Sequence, residues 1–147
     1  MSARAIAIAE ALVDALNAAG LSQALNAERK WVPQFKLEDE HLRIAVKPDD
    51  LDWELISRDD RRQDYECELW ATKRLESDPE SEAARKEEID GLVLLAQELM
   101  DYLEEAELEG LDVVLVGIAC DPICDEDAIQ ELGRFSTVIK VKYRLLR

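Results

Sequence analysis

The chain has 147 residues, of which 48% are hydrophobic, and its 34 acidic and 18 basic side chains give a formal net charge of −16 at pH 7. This length fits one domain, residues 1–147, that can bury a core without disulfide or metal staples. The negative charge argues against binding to duplex DNA or to an anionic membrane surface, since both require clustered Lys and Arg. The charge is also unevenly distributed: residues 76–109 hold thirteen acidic and two basic residues, whereas the last fourteen hold five basic residues and no acid.

Residues 3–19 are predicted to form a helix that faces the core. Ser2 can cap its start, and Gly20 can end it in the left-handed conformation. Apolar residues recur along it at spacings of three and four, at Ile6, Ala9, Leu12, Val13 and Leu16.

No secretory signal is expected, because Glu10 and Asp14 interrupt the apolar run of this helix. The longest apolar run, residues 113–120, is too short to cross a bilayer. The chain is therefore expected to be made in a reducing cytoplasm, where free structural cysteines are the rule. The cysteines are Cys67, Cys120 and Cys124.

Alternation of apolar and polar residues predicts two strands before residue 50. Residues 24–36 form the first, and Pro33 is expected to place it at a sheet edge or a bulge, because proline cannot donate to a strand ladder. Residues 42–47 form the second, which is expected to end at Pro48-Asp49-Asp50.

A hairpin with a charged tip is predicted next, with Trp53 and Leu55 in its first strand and residues 65–71 in its second. The tip, residues 57–64, contains no apolar anchor. It is either a solvated loop or a loop that contacts a partner, because loops held by a rigid hairpin often carry contacts. The candidate contact residues are Arg58, Asp59, Asp60, Arg61 and Arg62.

A long acidic helix is predicted to begin at Asp78-Pro79, with proline at its first helical position, and to run to about Glu107 before a stop at Gly110. Acidic residues fill one face. The opposite, apolar face contains Ile89, Leu92, Val93, Ala96, Leu99, Met100 and Leu103.

The C-terminal region is predicted to contribute two strands and a short helix. Residues 113–118 are continuously apolar, which is typical of a strand covered on both faces. Residues 125–132 read as a short helix capped by Asp125 and closed by Gly133. A final strand of alternating pattern follows. The complete order predicts an α+β domain: a mainly antiparallel sheet packed against an N-terminal helix and a long acidic helix, plus a short helix before the last strand.

Three cations of the final strand are expected to lie on one face and to pair with acids of a neighbouring subunit or of the long helix. They are Lys140, Lys142 and Arg144.

No constellation of catalytic, cofactor-binding or metal-ligating residues is found in the sequence. Cys120 and Cys124 have neither the spacing nor the second pair of a zinc site. The acids of residues 121–127 are not accompanied by the glycine and distal glutamate of a calcium loop. The single histidine, His41, has no nucleophile motif around it. The sequence therefore predicts no enzymatic activity and no cofactor.

The order of these elements, and their pattern of apolar and charged residues, resemble those of the tail terminator, or tail completion, proteins of long-tailed bacteriophages and prophages. The resemblance covers nearly the whole chain and includes no invariant motif. It rests on residues 12–17 (LVDALN), 30–35 (KWVPQF), 64–69 (DYECEL), the acidic helix and residues 134–144 (RFSTVIKVKYR).

The resemblance implies a virion protein without enzymatic activity, made in the bacterial host and located at the head-proximal end of the tail. It implies a ring, typically hexameric, that stops growth of the tail tube. The implied partners are further copies of the chain, the tail tube protein and the head–tail connector or neck protein, while genomic DNA passes through without specific binding. The acidic helix and the basic final strand are candidate complementary patches of such a ring.

Three alternatives stay open. The chain can be a head-completion or neck protein of a phage, a small cytosolic binding or regulatory module that acts as a dimer, or an enzyme. The size of the assembly distinguishes a ring from a dimer. An enzyme requires a pocket that contains paired titratable groups with perturbed pKa values.

Overall fold

A computed structural model describes residues 3–34, 41–108 and 110–146. Their five strands form one mixed sheet in the order β1-β2-β3-β5-β4. β1 and β2 are parallel, and the other three neighbouring pairs are antiparallel. The predicted α+β fold is therefore confirmed. In chain order the elements are α1 (Arg4–Asn17), β1 (Leu25–Arg29), β2 (Leu42–Leu55), β3 (Arg61–Arg74), α2 (Glu82–Glu105), β4 (Val113–Cys120), a π-helical turn (Ala128–Leu132) and β5 (Arg134–Leu145).

The main core lies between the two α-helices and one face of the sheet, which we call the inner face. Side chains of a strand alternate between faces, so every second residue in the central parts of β2, β3 and β5 belongs to this core. A smaller cluster of Leu75, Leu92 and Phe135 lies beside the π-helical turn. The buried residues of the main core include Ile8, Leu12 and Leu16 of α1, Leu95, Leu99 and Leu103 of α2, and Ile44, Leu69, Ile139 and Val141 of the sheet.

The start of α2 differs from the prediction. Ser81 caps the helix, since its hydroxyl accepts a hydrogen bond from the Ala84 N–H at 3.4 Å. The Glu88 carboxylate accepts the N–H groups of Glu76 and Ser77, the first at 2.8 Å, and so holds the preceding segment against the side of the helix. Pro79 therefore lies in a turn before the helix. The buried face adds Leu95 to the predicted residues, whereas Ile89, Val93 and Met100 are only partly buried.

At α1 the predicted cap, Ser2, lies outside the described residues, and Ala3 at the N-cap makes no side-chain capping bond. Gly20 adopts the expected left-handed conformation, with φ +63°.

Two predictions about the first strands are wrong. β1 ends at Arg29, so Trp31 and Val32 lie outside it and are exposed, while Phe35 falls outside the described residues. The predicted edge position of this strand is confirmed. Pro48 does not end β2, which spans 14 residues in all and continues past the proline, through a register shift between Pro48 and Asp50, to Leu55. The bulge leaves Asp49 without a register partner, whereas Pro48 still lies opposite Cys67.

β4 is exposed on one face, contrary to the prediction of a strand covered on both. It is an edge strand, and Val114 and Val116 are 43% and 42% exposed. The reason is that both α-helices pack on the inner face.

The predicted start and end of the short helix at residues 125–132 are confirmed. Asp125 Oδ1 accepts the Asp127 N–H at 3.0 Å, and Gly133 ends the turn with φ +62°. The turn itself is π-helical.

Within the described ranges, no helix is both long enough and apolar enough to cross a membrane.

Candidate protein interface

The hairpin of β2 and β3 extends beyond the rest of the sheet. β1 pairs with β2 only over residues 42–46, and β5 pairs with β3 only from Asp64 onward. Beyond these points residues 53–55 pair only with residues 61–63, and every residue from 49 to 61 is exposed. We call this two-stranded extension, residues 51–62, the arm. It is formed by an almost isolated hairpin, a structure that is marginal in water by itself.

One face of the arm is apolar. Leu51, Trp53 and Leu55 alternate along β2 and continue the inner face of the sheet past the helices, because Leu51 lies opposite the buried Tyr65. Ile56 follows them. These four side chains are 47%, 51%, 70% and 57% exposed. A contiguous apolar patch that a chain leaves exposed typically marks a surface that binds a partner.

The tip differs from the sequence prediction in two ways. The turn covers only residues 56–60, closed by a hydrogen bond from the Ile56 N–H to the Asp60 carbonyl at 3.0 Å. Arg61, Arg62 and Asp64 belong to β3, because strand pairing continues up to Leu55. Sequence analysis also found no apolar anchor in the tip, whereas the turn itself contains the exposed Ile56.

The candidate cations of the arm lie on different faces. Arg61 stands over the Trp53 ring, 5.8 Å from its centroid, and so belongs to the apolar face. Arg62 contacts Glu54 on the opposite face, with Nη1 3.5 Å from Oε2. Arg58, Asp59 and Asp60 are exposed in the turn.

The base of the arm is tied to the start of α1. Arg4 Nη1 donates to Gln63 Oε1 at 2.9 Å and to the Tyr65 hydroxyl at 3.0 Å. The Tyr65 hydroxyl donates to the same Gln63 oxygen at 2.8 Å. Because Gln63 and Tyr65 are both buried, this network sets the direction in which the arm leaves the sheet.

The cations of β5 lie on the outer face of the sheet, opposite acids of β3. Lys140 pairs in register with Glu68, Lys142 with Glu66 and Arg144 with Asp64. The prediction that these three cations share one face of the strand is confirmed. The Arg144 guanidinium binds both oxygens of Asp64, at 2.9 and 3.2 Å. This bidentate hydrogen bond lowers the pKa of Asp64 and raises the pKa of Arg144.

Within the chain, the partner of Arg144 is therefore an acid of β3 and not the predicted acid of α2, while pairing with another subunit stays a prediction. Antiparallel register places an acid of the same sheet directly opposite it. Arg144 is accordingly neutralised inside its own sheet, whereas Lys140 and Lys142 have acids in register but form no ion pair with them among the described residues.

A groove of about 410 Å³ lies where α2 ends beside the inner side of β4. Leu108, Leu111, Val113 and Leu115 supply apolar walls, and Tyr143 also lines it. We call it the acidic groove, because its remaining lining includes Glu104, Glu105, Glu107 and Asp112.

Tyr143 is the unusual residue of the acidic groove. It is 2% exposed, and its hydroxyl has no hydrogen-bond partner among the described residues. Burial raises the pKa of this hydroxyl, so it stays protonated. A buried hydroxyl without a partner is uncommon, because losing water without a replacement costs free energy.

The cysteines have the environment of structural residues. All three are free, and burial raises the pKa of the Cys67 thiol to about 12. Burial also raises the pKa of the Cys124 thiol. A thiol that stays protonated is a poor nucleophile and a poor metal ligand. In the part of the chain that the structure describes, no group of three or more His, Cys, Asp and Glu side chains is arranged to hold a metal ion.

Neither a scan against protein-family models nor a search of curated proteins found a match to this chain. Function is therefore inferred from the arm, the acidic groove and the sheet. Sequence analysis places Trp53 and Leu55 on one face of the hairpin, but it missed that Leu51 extends this face and that the face is exposed. The groove has no local signal, because α2, β4 and β5 meet only in the folded chain.

Proposed function

We propose that this chain is a structural protein of a long-tailed phage or prophage particle, which forms a hexameric ring at the head-proximal end of the tail tube. The observation that carries the proposal is the arm, whose apolar face is left exposed by the rest of the described chain. Such a face is stable in water when a partner covers it. The resemblance to tail terminators supplies the ring and its place in the particle.

A ring requires two different patches on each copy, so that the contact repeats head to tail and closes. The arm arises from β2 and β3, whereas β4, with its exposed valines, lies at the far edge of the sheet. Two unlike surfaces on one chain support a repeating contact. They support a twofold dimer, which uses one self-complementary patch, less well.

The charge of the chain is compatible with passage of DNA through the ring. A net charge of −16 gives a ring a strongly negative wall. Such a wall repels the phosphate backbone, so genomic DNA slides through without binding. Seated on the tube, the ring covers the surface to which further tube subunits add, and it presents its other side to the head connector.

The proposal is tested by imaging. Native mass spectrometry and light scattering on the purified protein give its assembly state, and negative-stain images show it mixed with tubes of the tail protein from the same particle. We expect rings at one end of each tube and tubes that no longer lengthen. A monomer that leaves tube ends bare refutes the proposal. A ring that binds the connector and ignores tubes identifies a neck protein, and a twofold dimer without tube binding identifies a regulatory module.

A further inference from the structure

We propose that the arm of one copy docks in the acidic groove of the next copy. In this contact the apolar face of the arm covers the apolar walls of the groove, and Arg58 and Arg61 meet its glutamates. The inference rests on the proposed ring and names the two surfaces that close it. A second copy of this chain is the occupant of the groove.

The arm presents apolar and cationic groups together on one face. Trp53 and Leu55 supply the apolar part, and Arg61 lies over the Trp53 ring on the same face. Arg58 is exposed in the adjoining turn. The opposite face has a different character, because Asp52 and Glu54 point there with their register partners Asp64 and Arg62. The face with Arg61 therefore suits an acidic receptor better than the opposite face does, although Asp59 and Asp60 are exposed in the same turn as Arg58.

The acidic groove has the complementary composition. Its apolar walls, which include Leu108 and Val113, lie beside the exposed carboxylates of Glu104, Glu105 and Glu107. No cation among the described residues forms an ion pair with these three carboxylates. An apolar cleft with unpaired acids at its rim fits a side chain that is apolar along its length and cationic at its end.

The unpartnered hydroxyl of Tyr143 is a second, independent sign of a ligand. It belongs to a side chain that is 2% exposed and that lines this groove. The hydroxyl oxygen itself is inaccessible in the free chain, so a guanidinium, with five N–H donors in a planar fork, reaches it and a nearby carboxylate together only when the groove widens on docking. Arginine combined with an aromatic neighbour is what the arm offers.

We place the contact between copies, although Leu51 at the base of the arm and Leu111 of the groove line a neighbouring pocket together within one copy. No arm residue lines the acidic groove of its own copy, and β5 separates β3 from β4 in the sheet. The five residues from Leu51 to Leu55 extend the arm by about 15 Å, enough to reach across to a neighbour. Because the two surfaces differ, each copy keeps one free arm and one free groove until the ring closes.

A charge exchange tests the contact. The arm variant carries Arg58→Glu and Arg61→Glu, and the groove variant carries Glu104→Arg and Glu105→Arg. Each alone is expected to weaken self-assembly at least about tenfold, since like charges then face each other. A chain carrying all four changes is expected to assemble within about threefold of the wild type, because the pairs are restored in reverse. The assembly constant is measured by sedimentation equilibrium.

Arg62→Glu is the matched control, since it reverses a charge on the other face of the same arm. It is expected to leave assembly nearly unchanged. All these residues are at least partly exposed, so the thermal midpoint of each variant should stay near that of the wild type.

The outcomes separate this contact from the proposed function. The contact is overturned if the groove variant assembles as well as the wild type, or if the chain with all four changes assembles as weakly as the arm variant and the groove variant. Either result counts even if rings cap tail tubes. Rescue by the exchange in a protein that ignores tube ends supports the contact and refutes the tail function. A wild type that never self-associates, alone or on tubes, refutes both.

Discussion

Replacing Trp53 with alanine is the sharpest test of the idea that the arm binds another molecule. In the isolated chain the residue is 51% exposed, on the face that continues the core beyond the helices. The substitution removes the largest apolar side chain of the arm and leaves the backbone pairing of the hairpin in place. We expect a large loss of self-assembly and a small change in the stability of the monomer.

The size of the loss follows from the exposed area. A tryptophan that is fully enclosed buries up to about 250 Å². Enclosing the half of Trp53 that is exposed in the monomer therefore removes roughly 120 Å² from water. At about 25 cal/mol per Å² this contributes about 3 kcal/mol, or roughly a hundredfold in the dissociation constant of each contact. The monomer should lose less than about 1 kcal/mol, since the side chain is outside the core.

Trp31→Ala is the matched control. This tryptophan is 57% exposed, lies outside the arm and has the Arg29 guanidinium 5.5 Å from its ring, much as Trp53 has Arg61. Sedimentation equilibrium gives the assembly constants, and urea unfolding below the assembly concentration gives the monomer stabilities. If both substitutions weaken assembly equally, the effect is explained by non-specific association through exposed tryptophan side chains. If Trp53→Ala assembles as well as wild type, the arm is not an interface. If it unfolds the monomer, Trp53 is part of the core.

Three further predictions concern single sites. The Arg144 guanidinium lowers the pKa of Asp64, so the pair stabilises the fold above the ordinary carboxyl range near pH 4 and loses this effect as pH falls below it. In the Asp64→Asn variant the urea midpoint should therefore fall less between pH 7 and pH 3 than in the wild type, and an unchanged dependence on pH contradicts the pairing. Tyr143→Phe should leave monomer stability unchanged or raise it by about 1 kcal/mol while weakening assembly, whereas a destabilised monomer means that the hydroxyl has a partner. With a thiol pKa raised to about 12, Cys67 should resist a thiol reagent at pH 8 until urea unfolds the chain, and fast labelling of the native protein contradicts its burial.

The sequence was sufficient for the elements whose pattern reflects only local geometry. The stripe of Ala9, Leu12 and Leu16 is set by the helical period, so α1 follows from spacing, although the structure buries Ile8 in place of the predicted Ile6. The alternation from Phe135 to Tyr143 is set by the pleat, so β5 and its buried face follow in the same way. Together with the long acidic helix these patterns determine an α+β domain.

Features that depend on neighbours in space were missed or wrong. Pro48 looked like the end of a strand, but β1 pairs with β2 only as far as Val46, so the proline lies where that edge of β2 has no ladder to lose. The apolar run of β4 looked fully covered, but the strand lies at an edge and both helices occupy the other face. Whether an apolar residue is buried depends on what packs against it, and period alone does not contain that information.

The same distinction applies to the interface. By itself the sequence determined the composition of the hairpin, the acidity of α2 and the shared face of Lys140, Lys142 and Arg144. Only the tertiary structure shows that Arg144 forms an ion pair with Asp64, and that the end of α2, β4 and Tyr143 line one groove. The physical reason is that strand register and helix packing bring together residues far apart in the chain, and electrostatic and apolar complementarity act through those distances.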